Sequence, residues 1–457
     1  MGYFRKSCAM VTLAFGVALS GTAPLTAETL KDALRNAYRH SGLLEQQRAL
    51  LRAADEDVAQ ALAALRPIIS AQANASYANT VLTDDYNYSG SVALSASLTL
   101  LDGGQSKLAI DSAKESVLAT RESLVSVEQQ VLLRAVNAFL EVRRQSEFVA
   151  LRQNGVRLIT EELRAARDRF EVGEVTRTDV ALAEARLAAS RSSLAAAQGG
   201  LAQAREEYRA AVGRSPGRLS TLPTQPRIPS SQSAAASQAE QRHPDVLAAK
   251  RNVKIADLNT MRAQAAMRGT LSLNGSVSIN DDFDGTESIG LQYSQPLYQG
   301  GRLSSLARQA QQRAAASRAG LHLTLHNIRQ GVGNAYASLA VARATKMATN
   351  EQVRAADTAF QGVREEATLG SRTTLDVLDA EQELLDARTQ RVSAVIDEQA
   401  AVYQALASMG LMTADYLNLG IATYDPAAYY NLVKTGPTKR SAQGQQLDRV
   451  LKALGKE

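Results

Sequence analysis

Two aspartates near the start of a long helical stretch are the residues whose type and spacing most directly suggest chemistry. Asp376 and Asp379 are three positions apart, so a helix places both side chains on one face near its amino-terminal end. Neighbouring carboxylates of this kind can attract cations. Asp376 also has a structural interpretation, because Thr373-x-x-Asp376 fits the capping box, in which both side chains bond to free backbone amides.

Other candidates for catalysis or metal binding lack the partners that such chemistry needs. His322 and His326 are four positions apart, which places two imidazoles on one helix face. No acid or cysteine stands beside them in a known ligand pattern. The sequence also has no phosphate-binding glycine loop and no nucleophile elbow between a strand and a helix. We therefore expect no catalytic residue, no metal site and no cofactor.

The segments that would position the aspartates occur twice along the chain. An offset of 197 residues pairs Gly173 with Gly370 and Asp179 with Asp376. The same offset gives further matches: Gly103-Gly104 with Gly300-Gly301, Asn137 with Asn334, Glu184 with Glu381, and Gly213 with Gly410. His40 matches His243 at an offset of 203. We interpret the chain as two copies of one unit, with these bounds: repeats 28–215 and 238–412, a linker at 216–237, and a non-repeated segment at 413–457.

Each half is predicted to begin with a helix and continue with two strands. Leu30–Leu65 has helical spacing and ends before Pro67. Apolar and polar residues then alternate over about 68–78, 89–101, 270–280 and 287–298. Such strands suit a soluble sandwich or membrane-spanning β-structure, but four are too few for a large sandwich. Four also cannot close a barrel, so two, three or four copies would have to supply eight, twelve or sixteen strands.

Two long helices are predicted to follow the strands in each half. Their approximate ranges are 104–171 and 174–213, then 302–369 and 373–410. At about 1.5 Å per residue, the longer ones would extend roughly 100 Å. Helices of this length must pack against other long helices. In the final segment, Tyr424–Tyr430 is a candidate for packing around their middle, and the end from Gly436 is a candidate for disorder.

The first 27 residues are predicted to be an export signal. Arg5 and Lys6 precede an apolar run, Ala9–Leu19, and Ala27 is a plausible last residue before cleavage. The chain's one cysteine, Cys8, lies within this signal, so the mature protein would have no disulfide. No mature segment has the ~20 apolar residues of a membrane-spanning helix. The formal net charge is +5 without a basic block, which does not favour nucleic acid.

Two turn sequences resemble those of a known family. Leu369–Ala380 (LGSRTTLDVLDA) is similar to the second periplasmic turn of the TolC family of outer-membrane efflux and type I secretion channel proteins. Phe170–Gly173, followed by Thr178–Val180, resembles the first turn. The resemblance covers essentially the whole mature chain. It implies a mixed α and β membrane protein: a homotrimer with a twelve-stranded barrel among the lipids of the Gram-negative outer membrane and a twelve-helix periplasmic tunnel.

The resemblance also implies a function and partners. The channel would passively carry drugs, small molecules or polypeptides out of the cell, and its periplasmic end would open like an iris. It would dock to a periplasmic adaptor and to an inner-membrane transporter of ABC or RND type. The alternative is a periplasmic adaptor protein, which should have one helical hairpin and a membrane anchor, whereas this chain has two hairpins and no anchor. A coiled-coil filament would leave the four strands unexplained.

By resemblance, Asp376 and Asp379 would form the pore constriction at the periplasmic mouth. Capping remains the alternative for Asp376. For Asp379 the alternative is a solvated surface acid, since its repeat partner is Leu182 and capping does not account for it. The resemblance also implies a gating lock, in which Arg372 bonds to Thr178 and Asp179.

One position of the lock departs from the family pattern. The family often has a tyrosine three residues before the second-turn glycine, and Ala367 stands there in this chain. Either the lock is weaker or Glu365 or Glu366 contributes instead. The resemblance also implies tip and adaptor contacts at Val172, Gly173, Leu369, Gly370 and Ser371. Independently of it, Gly103, Gly104, Gly300 and Gly301 mark the switch from strand to helix and are predicted to be hinges. The tyrosines near the strand ends are candidates for an interface girdle: Tyr77, Tyr86, Tyr88, Tyr293 and Tyr298.

Overall fold

The structure, a computed structural model, describes residues 27–80 and 85–453. The predicted export signal, including Cys8, lies outside the described residues except for Ala27. Side chains are described for these ranges apart from residues 78–87 and 453.

Each half opens with two helices where the sequence predicts one. The first pair is α1 (Leu30–His40) and α2 (Gly42–Ala63), so the single helix predicted over Leu30–Leu65 is wrong. Ser41 causes the break: its backbone is extended, and its side chain accepts a bond from the Leu44 amide at 3.3 Å. The second pair is α5 (Gln232–Arg242) and α6 (Pro244–Ala265), and α5 begins within the predicted linker. Here His243 is extended, as expected for a residue before proline.

The strands form one antiparallel sheet in the order β1-β2-β3-β4. They are β1 (Ile68–Thr80), β2 (Asp85–Leu101), β3 (Thr270–Asn280) and β4 (Gly285–Ser294). Strands from the two halves meet between β2 and β3, where Ser91 pairs with Asn280. β4 stops four residues before the predicted 298, because Pro296 has no amide to continue the ladder.

The sheet leaves large apolar side chains uncovered. Val92, Leu94, Ile289 and Leu291 are all more than half exposed, and Ile289 is 82% exposed. The outer edges of β1 and β4 have no strand partner within the described residues. An apolar sheet with two open edges requires a partner surface.

Two helical hairpins extend from this sheet. The first joins α3 (Gln105–Glu171) to α4 (Arg177–Val212), and the second joins α7 (Arg302–Thr368) to α8 (Thr374–Ser408). The 67 residues of α3 and of α7 correspond to roughly 100 Å of helix. Among the described helices, none combines the length and the apolar composition needed to cross a membrane.

The largest apolar core surrounds the middle of α3. Leu132 and Phe139 of α3 are fully buried there with Tyr208 of α4 and Met409, which follows α8. α1, α2 and α6 also pack on α3. Leu419 from the segment after α8 enters the same core, so the final segment is part of the folded body.

The chain ends in two short helices, α9 (Ala428–Val433) and α10 (Ala442–Ala453). Tyr429 of α9 donates its hydroxyl hydrogen to Glu56 of α2 at 2.7 Å. Leu447 of α10 packs against Tyr429 and Val433. The predicted disorder from Gly436 is therefore wrong up to residue 453, because an apolar face of α10 is buried against α9.

Replacement of Gly213 by alanine should destabilise the protein strongly. Gly213 has φ +87°, and a Cβ there would overlap His40 at the end of α1. The left-handed backbone costs alanine about 1–2 kcal/mol, and the overlap should add about 1–3 kcal/mol. Thermal unfolding followed by circular dichroism should show the lower midpoint.

Gly173→Ala is the matched control, since Gly173 has φ +79° and nothing lies near its would-be Cβ. If both variants lose equal stability, overlap with His40 contributes nothing to the destabilisation by Gly213→Ala.

Candidate functional site

The two hairpin turns have the same backbone design. Gly173 and Gly370 have φ of +79° and +80°, a conformation that glycine adopts without strain. The amide of Gly173 bonds to the Phe170 carbonyl at 3.0 Å, and that of Gly370 to the Ala367 carbonyl at 3.2 Å. Both turns thereby end one helix and reverse the chain within a few residues.

Apolar side chains project from both turns. Val172 is 71% exposed and Leu369 is 84% exposed. Ser371, beside Leu369, is fixed by a 2.8 Å bond from its hydroxyl to the Glu366 carbonyl. The predicted tip residues thus present an apolar surface on a hydrogen-bonded turn, which suits contact with another protein.

Capping boxes begin the second helix of both hairpins. The amide of Asp376 bonds to Thr373 Oγ1 at 3.2 Å, and Asp376 Oδ2 accepts from the Thr373 amide at 2.9 Å. Thr176 and Asp179 form the same box. These bonds hold the pKa of both aspartates below the usual range. The capping interpretation of Asp376 is therefore confirmed, and its carboxylate stays ionised.

Asp379 bonds to an arginine that sequence analysis did not identify. Its carboxylate accepts a bond from the Arg186 guanidinium of α4, so the pair joins the two hairpins. The adjacent residue, Leu378, packs against Ile159 and Leu163 of α3. Only packing of the hairpins brings Arg186 to Asp379, 193 residues later, so no local sequence signal could have found it.

The predicted lock residues are not joined within the chain. Arg372 Nε donates to Glu366 Oε2 at 2.8 Å, and both side chains are half exposed. In the part of the chain that the structure describes, no bond joins Arg372 to Thr178 or Asp179. Asp179 instead bonds to Thr176 in its own turn. Of the two glutamates named as substitutes, Glu366 is the one that contacts Arg372.

The predicted hinge glycines lie where strand passes into helix. Gly103 and Gly104 precede α3, Gly300 and Gly301 precede α7, and all four have positive φ. A Cβ at Gly103 would lie 2.7 Å from Arg268 Cβ, so that position requires glycine.

Two other predicted groups lie on exposed surfaces. Tyr77, Tyr88, Tyr293 and Tyr298 are more than half exposed, whereas the side chain of Tyr86 lies outside the described residues. His322 and His326 are exposed on α7. Among the described residues, no cluster of three or more histidines, cysteines or acids could hold a metal ion.

Known proteins match this chain over almost its full length. The family model described as "Outer membrane efflux protein" matches twice, over residues 33–214 and 235–411. The outer membrane efflux protein BepC of Brucella suis biovar 1 (strain 1330) is 37% identical over 437 residues, covering 94% of this chain and 95% of the relative. The outer membrane protein TolC of Escherichia coli (strain K12) is 26% identical, covering 84% and 83%.

A solved structure has the same fold. The Campylobacter jejuni CmeC outer membrane channel superposes with a TM-score of 0.75 at 14% identity, covering 90% of each chain. The matching family is one of outer-membrane efflux proteins, which excludes the adaptor alternative. The chain therefore belongs to the outer membrane efflux protein family and is an outer-membrane exit duct for efflux or type I secretion.

Proposed function

We propose that three copies of the chain form the duct. Three four-stranded sheets would close a twelve-stranded barrel, in which each β1 edge pairs with the β4 edge of a neighbour. The exposed side chains of Val92, Leu94, Ile289 and Leu291 support this arrangement, because a barrel wall in lipid needs an apolar outer face. The open sheet edges carry the proposal, since unpaired strand edges cannot remain in a bilayer.

The helical hairpins would continue the barrel as a tunnel through the periplasm. Their turns would form its mouth, which Asp376 and Asp379 of three protomers would line with six carboxylates. Opening would separate the second hairpin from the first, as in an iris. The exposed apolar turns at Val172 and Leu369 support docking to a periplasmic adaptor, and through it to an inner-membrane pump of ABC or RND type. The duct itself would be passive.

Two measurements on the purified protein test this proposal. Chemical cross-linking should give a trimer, and planar bilayers should show small, cation-selective openings. Folded protein that stays monomeric and gives no conductance would contradict the trimeric duct.

Replacement of Arg372 by serine should raise the open fraction several-fold. The proposed lock joins this arginine to Thr178 and Asp179 on a neighbouring turn, and a charge-assisted hydrogen bond is stronger than a neutral one. Single-channel recording measures the open fraction directly. Glu366→Gln is the informative companion, since it removes the partner that Arg372 has within the chain. If Arg372→Ser opens no more often than the parent, Arg372 has no part in the lock.

A further inference from the structure

A carboxyl group occupies an apolar position in the seam between the two hairpins. Leu378, Glu381 and Leu385 follow one another by three and four residues, so they lie along one stripe of α8. Leu378 packs against Ile159 and Leu163 of α3. Leu385 lies so near Gly155 of α3 that a Cβ on Gly155 would be only 3.1 Å from Leu385 Cδ2. Glu381 therefore faces the first hairpin from between two leucines.

Glu381 is buried there without a full set of partners. The residue is 5% exposed, and its Oε1 has no hydrogen-bond partner among the described residues. α3 presents Glu161 and Glu162 to it, and α7 presents Arg364. On α4, Arg186 is bonded to Asp379, two residues before Glu381. Burial, reinforced by the charge of Glu162, raises the pKa of Glu381 to about 7.

The equivalent residue of the first repeat has an ordinary environment. Glu184 is 197 positions before Glu381, is half exposed, and bonds to Arg167 of its own hairpin at 2.5 Å. The two repeats therefore use the same residue differently. Glu381, which faces the other hairpin, is buried and has an unpartnered oxygen, whereas Glu184 is exposed and paired.

We propose that Glu381 is a proton-binding site in the seam, and that opening of the periplasmic mouth releases its proton to solvent. This inference rests on the proposed iris movement, which would separate α8 from α3 and expose the carboxyl group. The ligand is the proton, and three protomers would supply three sites. Periplasmic acidity would then bias the duct toward its closed state.

The direction of the pH dependence follows from the two environments. The carboxyl pKa is about 7 in the closed seam and returns toward the ordinary 4.5 once exposed. The proton on Glu381 therefore stabilises the closed seam fully below pH 4.5, and this stabilisation is lost as the pH rises through 7. A difference of this size favours the open state by on the order of 100-fold per protomer above pH 7. Asp376 stays ionised through this range, because its pKa is lowered.

Single-channel recording of the trimer at pH 5 and pH 8 tests the proposal. The parent should open far more often at pH 8. Glu381→Gln imitates the protonated form and should remain mostly closed at both pH values. Glu184→Gln, the matched control, should keep the parent's pH dependence. If the open fraction of Glu381→Gln changes between pH 5 and pH 8 as much as that of the parent, the proposal is overturned.

Hydrogen exchange over residues 377–386 gives a readout that needs no conductance. After correction for intrinsic rates, exchange in the parent should be faster at pH 8, and Glu381→Leu should remove the difference. Equal pH dependence in parent and variant would overturn the proton site. If the parent never conducts but shows this exchange, the proton site stands and the proposed duct fails.

Discussion

Joint replacement of Asp376 and Asp379 by asparagine should abolish the cation preference of the channel and turn it toward anions. The parent mouth would hold six carboxylates, three of them offset by Arg186 of each protomer. The double variant removes all six and leaves the three arginines unpaired. At separations of about 10 Å, several unit charges shift the cation-to-anion permeability ratio by on the order of tenfold or more. Reversal potentials in a salt gradient measure this ratio.

Two further variants make the prediction specific. Glu351→Gln removes an exposed acid that pairs with Arg354 along α7, away from the turn, and should leave selectivity unchanged. Addition of Arg186→Gln to the double variant should remove the anion preference. If the double variant selects cations as the parent does, Asp376 serves only as a cap and Asp379 only as a surface acid.

Replacement of Arg186 alone by glutamine should have the opposite effect on selectivity and should also loosen the gate. Asp379 would lose the partner that offsets its charge, so the cation preference should rise several-fold. The bond between α4 and α8 would be lost in each protomer, and the open fraction should increase. An exposed ion pair stabilises by about 1 kcal/mol at most, so the open fraction should change by no more than about fivefold for each pair that is lost.

An ion pair within one hairpin provides a control, because breaking it removes a surface charge without breaking a bond between the hairpins. Arg167 bonds to Glu184 at 2.5 Å, but both residues belong to the first hairpin. Arg167→Gln should therefore alter neither selectivity nor gating. The effects of Arg186→Gln and Asp379→Asn on the open fraction should be non-additive, since either variant breaks the same pair. Additive effects on the open fraction would mean that the pair does not hold the gate.

Local features of the fold were accessible to sequence reasoning. The Thr373 and Asp376 capping box and the turn glycine Gly370 depend on atoms within a few residues, so their residue types are informative by themselves. The break at Ser41 was missed although its cap is also local, because strong helical spacing on both sides hid one serine. The end of β4 before Pro296 was missed because apolar alternation continued beyond it.

The repeat comparison found residues without finding their contacts. Gly213 and Gly410 match between the halves, as do His40 and His243. The structure places each glycine against the histidine of its own half. Matching positions indicate equivalence, but a contact between residues more than 160 apart depends on how the first helices pack against the long ones.

By itself, the sequence determined the repeats, the alternating strands, the long helices and the capped turns, since hydrogen bonds and side-chain periodicity within a few residues specify each of them. Only the tertiary structure decided what the charged side chains near the mouth do. Arg186 meets Asp379 and Glu381 loses its solvent because two hairpins pack along one seam. Whether a charge is paired, exposed or buried depends on groups that are distant in sequence, and no local pattern records them.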